Sequence, residues 1–109
     1  MGDIIYNKLV RDKIPAIIVA DNAQPVQRTL TDDTEYLQAL LEKLIEESKE
    51  LLESKGSLEE RADIAEVLRA IDALLGYDSQ VVEVARNDKA QKRGGFSSRV
   101  FLDKVITND

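Results

Sequence analysis

Two stretches of helical periodicity, joined by a turn at Gly56, constrain this chain more than anything else in it. Over residues 33–54, Leu37, Leu40, Leu41, Leu44, Ile45, Leu51 and Leu52 recur at helical spacing and form one apolar stripe. Over residues 58–75, Ile64, Val67, Leu68, Ile71, Leu74 and Leu75 do the same across roughly a third of the circumference. Gly56 is placed to cap the first helix, and Ser57 with Glu60 reads as a capping box opening the second. Each stripe needs a partner surface, and a tight turn offers each helix the other.

Acids interrupt both stripes. They read Glu46-Glu47-x-x-Glu50 on the first helix and Glu60-x-x-Asp63 on the second. Carboxylates at i and i+3 share a helix face. With each residue turned about 100° from the last, Glu60 falls inside the apolar arc and Asp63 at its edge, while Glu59 and Glu66 lie outside it. Glu47 borders the stripe of its helix, and Glu50 and Glu46 lie progressively further out. Two such pairs on facing helices enclose one small space with four like charges. These repel unless a cation sits among them, and a hard oxygen-seeking ion such as Mg²⁺ or Mn²⁺ suits the donor set. Blander uses compete. Glu60 can serve only as the N3 member of the Ser57 capping box. Glu42, Glu46 and Glu53 fit a solvated helix surface, and Glu46–Lys49 and Lys43–Glu50 fit surface ion pairs.

The rest of the chain fixes the class. Its 109 residues predict one domain, residues 1–109. A net charge of −6 and few aromatics argue against a nucleic-acid or anionic-membrane partner. The absence of Cys and His removes disulfides, thiol nucleophiles, the Ser-His-Asp triad and His-ligated zinc. No apolar leader or membrane-length run is visible, so a cytoplasmic location is expected. An extended lead-in at 3–7 precedes a short helix running from Arg11 or Asp12 to Ala20, with Pro15 tolerated in its first turn. Residues 21–25 read as a loop and 26–30 as a short strand. Asp32 with Glu35, or Thr31, opens the first long helix. After Gly76, Asp78 or Ser79 starts a third over 80–92, broken by Gly94-Gly95, and 97–106 fit either a helix or a strand. The expected class is all-α, a helical bundle completed by oligomerisation, with short N-terminal strand segments allowed.

Four stretches in order give the chain a family resemblance. The acidic pattern of Glu46, Glu47, Glu50, Glu60 and Asp63 resembles the signature of the all-α nucleoside triphosphate pyrophosphohydrolases. That superfamily includes the MazG proteins and phosphoribosyl-ATP pyrophosphohydrolase. YNKLVRDKIP at residues 6–15 resembles the opening of a small MazG-like subgroup, LEKLIEESKEL at 41–51 matches within it, and KRGGF at 92–96 resembles its closing motif. The nine residues between Glu50 and Glu60 form a shorter spacer than in MazG itself.

The resemblance implies cleavage of a nucleoside triphosphate between the α and β phosphorus atoms, giving the monophosphate and pyrophosphate. It implies that Glu47, Glu50, Glu60 and Asp63 hold Mg²⁺, with Mn²⁺ an alternative, and it leaves Glu46 to orient the attacking water. Phosphoribosyl-ATP as substrate and a non-catalytic helical interaction module remain the other readings. The cations available to phosphates are Lys8, Arg11 and Lys13 near one end and Lys89, Lys92, Arg93 and Arg99 near the other. Asn87 and Lys89 loosely resemble the family's phosphate-holding Asn and Lys. Arg11 fits a phosphate or an acid on the helices equally well. The exposed width of the second helix's apolar surface, with Ala62, Ala65, Ala70 and Ala73, and the family's assembly together imply a homodimer or homotetramer.

Arg93, beside two glycines that let backbone N–H groups approach a phosphate, is the sharpest single candidate. Arg93→Ala is expected to lower kcat/KM roughly 10- to 150-fold, the worth of one charge-assisted contact, with Mg²⁺ affinity unchanged. A loss of thermal stability with unchanged kcat/KM, read from kinetics and melts on the one variant, would instead place Arg93 as a helix-end charge.

Overall fold

In the computed structural model, which describes residues 2–108, the backbone is all-α. Four helices occur among those residues, α1 (Ile14–Ala20), α2 (Asp33–Glu53), α3 (Leu58–Leu75) and α4 (Ser79–Arg93), and no strand. The chain groups into two compact units, Met1–Gly76 and Tyr77–Asp109.

The first unit is organised by α2 and α3, which pack along each other as an antiparallel hairpin. Its core is Leu40 of α2 with Val67 and Ile71 of α3, joined by Leu9, Tyr36, Leu37, Leu44, Ala70 and Leu74. The α2 row Leu37–Leu40–Leu44–Glu47–Leu51 and the α3 row Glu60–Ile64–Val67–Ile71–Leu74 both alternate spacings of three and four. An acid thus stands within each buried row, near the end of the hairpin that carries the turn. The stripes divide along their length: Leu41, Ile45 and Leu52 on α2, and Leu68 and Leu75 on α3, stay exposed because one partner helix covers only one side of each.

Local chemistry sets the helix ends. The Asp32 carboxylate accepts the Glu35 amide and opens α2, whose first turn carries Asp33 and Glu35. Ser57 Oγ accepts the Glu60 amide and opens α3, and Gly76 in the left-handed conformation ends it. The turn between α2 and α3 is a Schellman motif in which Gly56 N–H donates to Leu51 C=O at 2.9 Å and Lys55 N–H to Leu52 C=O at 3.1 Å. The left-handed cap position falls on Lys55, at φ 58°, one residue ahead of the glycine expected to hold it.

Several expectations change. The helix expected from Arg11 or Asp12 begins at Ile14, after a turn closed by Ile14 N–H on Arg11 C=O. Residues 26–30 form no strand: no second strand exists among the described residues to take up the backbone groups a lone strand leaves unpaired. That stretch is tied down instead by Arg28, whose Nη1 donates to Glu35 Oε1 at 2.6 Å. The extended 3–7 segment joins no sheet, and 97–106 is neither helix nor strand.

The second unit holds α4 and the segment after it. Asp78 caps α4 through the Val81 amide at 2.8 Å, and Lys92 and Arg93 close its last turn, where the helix dipole favours cations. Gly94 N–H donates to Ala90 C=O at 2.8 Å, so the two glycines end the helix as their composition predicts.

Lys55 carries a conformation that a Cβ penalises and glycine does not. Lys55→Gly is expected to raise thermal stability by about 1 kcal/mol, a few degrees in a melt, without altering helix content by circular dichroism.

Candidate metal centre

The hairpin gathers four of the five acids singled out by sequence. One carboxylate oxygen from each of Glu47, Glu50, Glu60 and Asp63 lies within 4.8 Å of the other three. Glu47 and Glu50 share a face of α2, and Glu60 and Asp63 share the facing side of α3, as the i, i+3 spacing requires. Glu47 is 6 % exposed and is the one buried charged residue among those described. Glu50, Glu60 and Asp63 are half-buried.

The donor set fits a hard divalent ion. Glu47 Oε2 and Glu60 Oε2 are both buried with no hydrogen-bond partner. Buried carboxylate oxygens are costly in that condition unless a cation or donor meets them. Ligands on opposite sides of an octahedral Mg²⁺ stand about 4.2 Å apart, twice the usual bond, so the 4.8 Å spread needs only small side-chain adjustment.

The alternative use of Glu60 is settled by its neighbours. Its amide is capped by Ser57 Oγ at 3.3 Å, but a full capping box also needs its carboxylate on the Ser57 amide. That amide donates to Ser54 Oγ at 3.1 Å instead. The Glu60 carboxylate is thereby left to the cluster.

The fifth acid stands apart. Glu46 Oε1 accepts Lys8 Nζ at 2.8 Å, and Glu46 Oε2 lies 3.5 Å from Lys43 Nζ. The Lys8 hydrogen bond, helped by Lys43, holds the Glu46 carboxyl below its ordinary range, and Glu46 in turn raises Lys8. Glu47 moves the other way. Burial pushes its carboxyl up, and the adjacent Glu50 carboxylate pushes it further, against a downward pull from Lys43 at 3.3 Å. Lys43 pairs with Glu46 and Glu47 rather than with Glu50, and the expected Glu46–Lys49 pair gives way to Glu46–Lys8. Sequence reading missed the role of Lys43, although its i, i+4 spacing to Glu47 was the available signal.

The N-terminal cations are drawn to the acids. Lys8 reaches Glu46 on α2, and Arg11 Nη2 reaches Asp63 Oδ1 on α3 at 2.7 Å. Of the two uses open to Arg11, the structure shows the acid pair. Lys13 stands exposed at the N-cap of α1. Asn87, Lys89, Lys92 and Arg93 all lie on α4, in the second unit, with exposed side chains. No helix among the described residues is long and apolar enough to cross a membrane.

Comparison with known proteins adds little to this geometry. A stretch of 44 residues is 57 % identical to a protein of Mycolicibacterium smegmatis (strain ATCC 700084 / mc(2)155) described only as uncharacterized. The match spans 40 % of this chain and 44 % of that protein, less than half the relative's length. No family model matches the chain, and no solved structure matches it.

The raised carboxyl of Glu47 has a signed consequence for the metal-free protein. Its folded value exceeds the ordinary 4.5, so the stability it contributes is complete below 4.5 and is lost as pH rises through the folded value. Glu47→Gln removes the ionisation. In chelator-treated protein it is expected to melt higher than wild type at pH 7, with the difference vanishing below pH 4.5, as read from thermal melts across pH.

Proposed function

We propose that this chain is a Mg²⁺-dependent nucleoside triphosphate pyrophosphohydrolase of the MazG-like kind, with Mn²⁺ an acceptable substitute. The observation that carries the reading is the convergence of four carboxylates from two helices, two of them with buried, unpartnered oxygens. The ordered motifs from YNKLVRDKIP to KRGGF support it.

In this reading Glu47, Glu50, Glu60 and Asp63 hold the metal. Bound there, Mg²⁺ supplies neutralisation of the triphosphate charge and activation of water. Glu46, kept ionised by Lys8, orients a water by accepting its hydrogen bond, and its lowered pKa suits it to that task better than to keeping a proton. Water adds at the α phosphorus, the bond from that phosphorus to the bridging oxygen breaks, and the leaving group is pyrophosphate. Lys8, Arg11 and Lys13 are the first unit's cations for the phosphates. Asn87, Lys89, Lys92 and Arg93 are the second unit's substrate-binding candidates. A homodimer or homotetramer would cover the exposed Leu41, Ile45, Leu68 and Leu75. The proposed location is cytoplasmic.

A second reading, a helical interaction module, draws on apolar side chains left exposed in the second unit, Val81, Val84, Phe96 and Phe101 among them. Pyrophosphate release over a nucleotide panel that includes phosphoribosyl-ATP separates the readings, and a metal-loaded protein that releases none from any substrate overturns the enzyme. Glu50→Gln and Asp63→Asn are each expected to weaken Mg²⁺ binding at least about tenfold by calorimetry and to cut turnover by orders of magnitude, with helix content unchanged. Mg²⁺ at about 100 times the wild-type Kd should stabilise wild type by about 2.7 kcal/mol, and a variant that binds about tenfold more weakly by about half as much.

A further inference from the structure

Two protein cations touch the four-carboxylate cluster, and they are held in different ways. Lys43 lies one turn before Glu47 on the same helix, with its side chain only 16 % exposed. It is a fixture of α2. Arg11 comes from the N-terminal segment, before α1 begins, and its side chain is 54 % exposed where it meets Asp63. The backbone beside it is anchored independently, since Leu9 packs on the core and Lys8 is bound to Glu46. The guanidinium can therefore leave Asp63 by side-chain rotation alone, while the segment stays in place.

Asp63 is also one of the four residues whose oxygens converge, so Arg11 and a divalent ion call on the same carboxylate. We propose that Arg11 is the resident counter-cation of this cluster: the metal displaces it from Asp63, and the freed guanidinium then takes a phosphate of the substrate. This rests on the metal-centre reading given above and adds to it a residue that exchanges partners. The charges support the exchange. A divalent ion among the acids cancels the field that holds Arg11, while a polyphosphate brings new negative charge to the same place. A planar fork of donors fits a phosphate as well as it fits a carboxylate. An exposed pair of this kind is weak enough for the ion to break.

The test uses the full chain and two variants, Arg11→Gln and Arg11→Lys. Mg²⁺ alone is titrated calorimetrically, and inorganic tripolyphosphate is then titrated at saturating Mg²⁺, so that no choice of base enters. Removing the competitor is expected to tighten Mg²⁺ binding in Arg11→Gln by about 2- to 5-fold, the equivalent of one exposed ion pair. Arg11→Lys keeps the charge and should stay near wild type for Mg²⁺. Tripolyphosphate should bind at least about tenfold more weakly to Arg11→Gln. A residue that merely positions Asp63 gives the opposite sign, weaker Mg²⁺ binding on its removal. That result, or an unchanged tripolyphosphate affinity, overturns the exchange while leaving the metal centre standing. Wild-type protein that binds neither Mg²⁺ nor Mn²⁺ overturns both.

Discussion

The fold depends on how the carboxylate of Glu47 is tolerated inside the α2–α3 seam. It occupies a position in the same row as Leu40 and Leu44, where a leucine would extend the core. A buried core side chain contributes about 1.5–3 kcal/mol, whereas an ion held away from water and unpaired costs several. Leu40, Val67 and Ile71 are the buried hydrophobic residues among those described. One uncompensated charge in this seam therefore offsets more than one of them. Lys43 relieves one oxygen of Glu47 and leaves the other unmet. A divalent ion among the acids would remove the remaining penalty, and the proposed metal binding would then be coupled to stability.

The N-terminal segment has a matching logic. Residues 6–13 form no regular helix or strand, yet they place Leu9 on the core and send Lys8 to α2 and Arg11 to α3. The apolar contact lies on the Leu40–Val67–Ile71 core, and the two ion pairs lie among the acids, one on each helix. Exposed ion pairs of this kind contribute little stability. Their effect is local: opposite charges beside the acids lower the electrostatic cost of gathering them, and Lys8 holds the Glu46 carboxyl below its ordinary range.

Against this well-defined seam stands a large exposed apolar surface. The hairpin leaves Leu41, Ile45, Leu52, Leu68 and Leu75 uncovered, and the second unit exposes Val81, Val84, Phe96, Phe101 and Ile106. Solvated apolar surface on this scale is uncommon in proteins that act as monomers. It accords with the proposed self-association, which would add to the burial that the α2–α3 seam supplies.

Much of this was legible in the sequence. The all-α class, the limits of α2, α3 and α4 to within a residue, and the pairing of the acids on one face of each helix all follow from local rules: helical period, capping residues and the i, i+3 spacing. Those rules act within a few residues, so sequence alone determined them. What needed the tertiary structure was every choice between partners that local rules make equivalent. Lys43 had Glu46, Glu47 and Glu50 in the two turns that follow it, and it pairs with Glu46 and the buried Glu47. Arg11 had a phosphate or an acid open to it, and Asp63, fifty-two positions along the chain, was brought to it by the hairpin. Glu60 had a cap or a cluster open to it, and the hydroxyl of Ser54 decided by taking the Ser57 amide that the cap required. The 26–30 stretch alternates as a strand does, but a strand exists only beside another, and none is present among the described residues. Local sequence fixes which conformations and charges are available, and packing between distant segments fixes which of them meet.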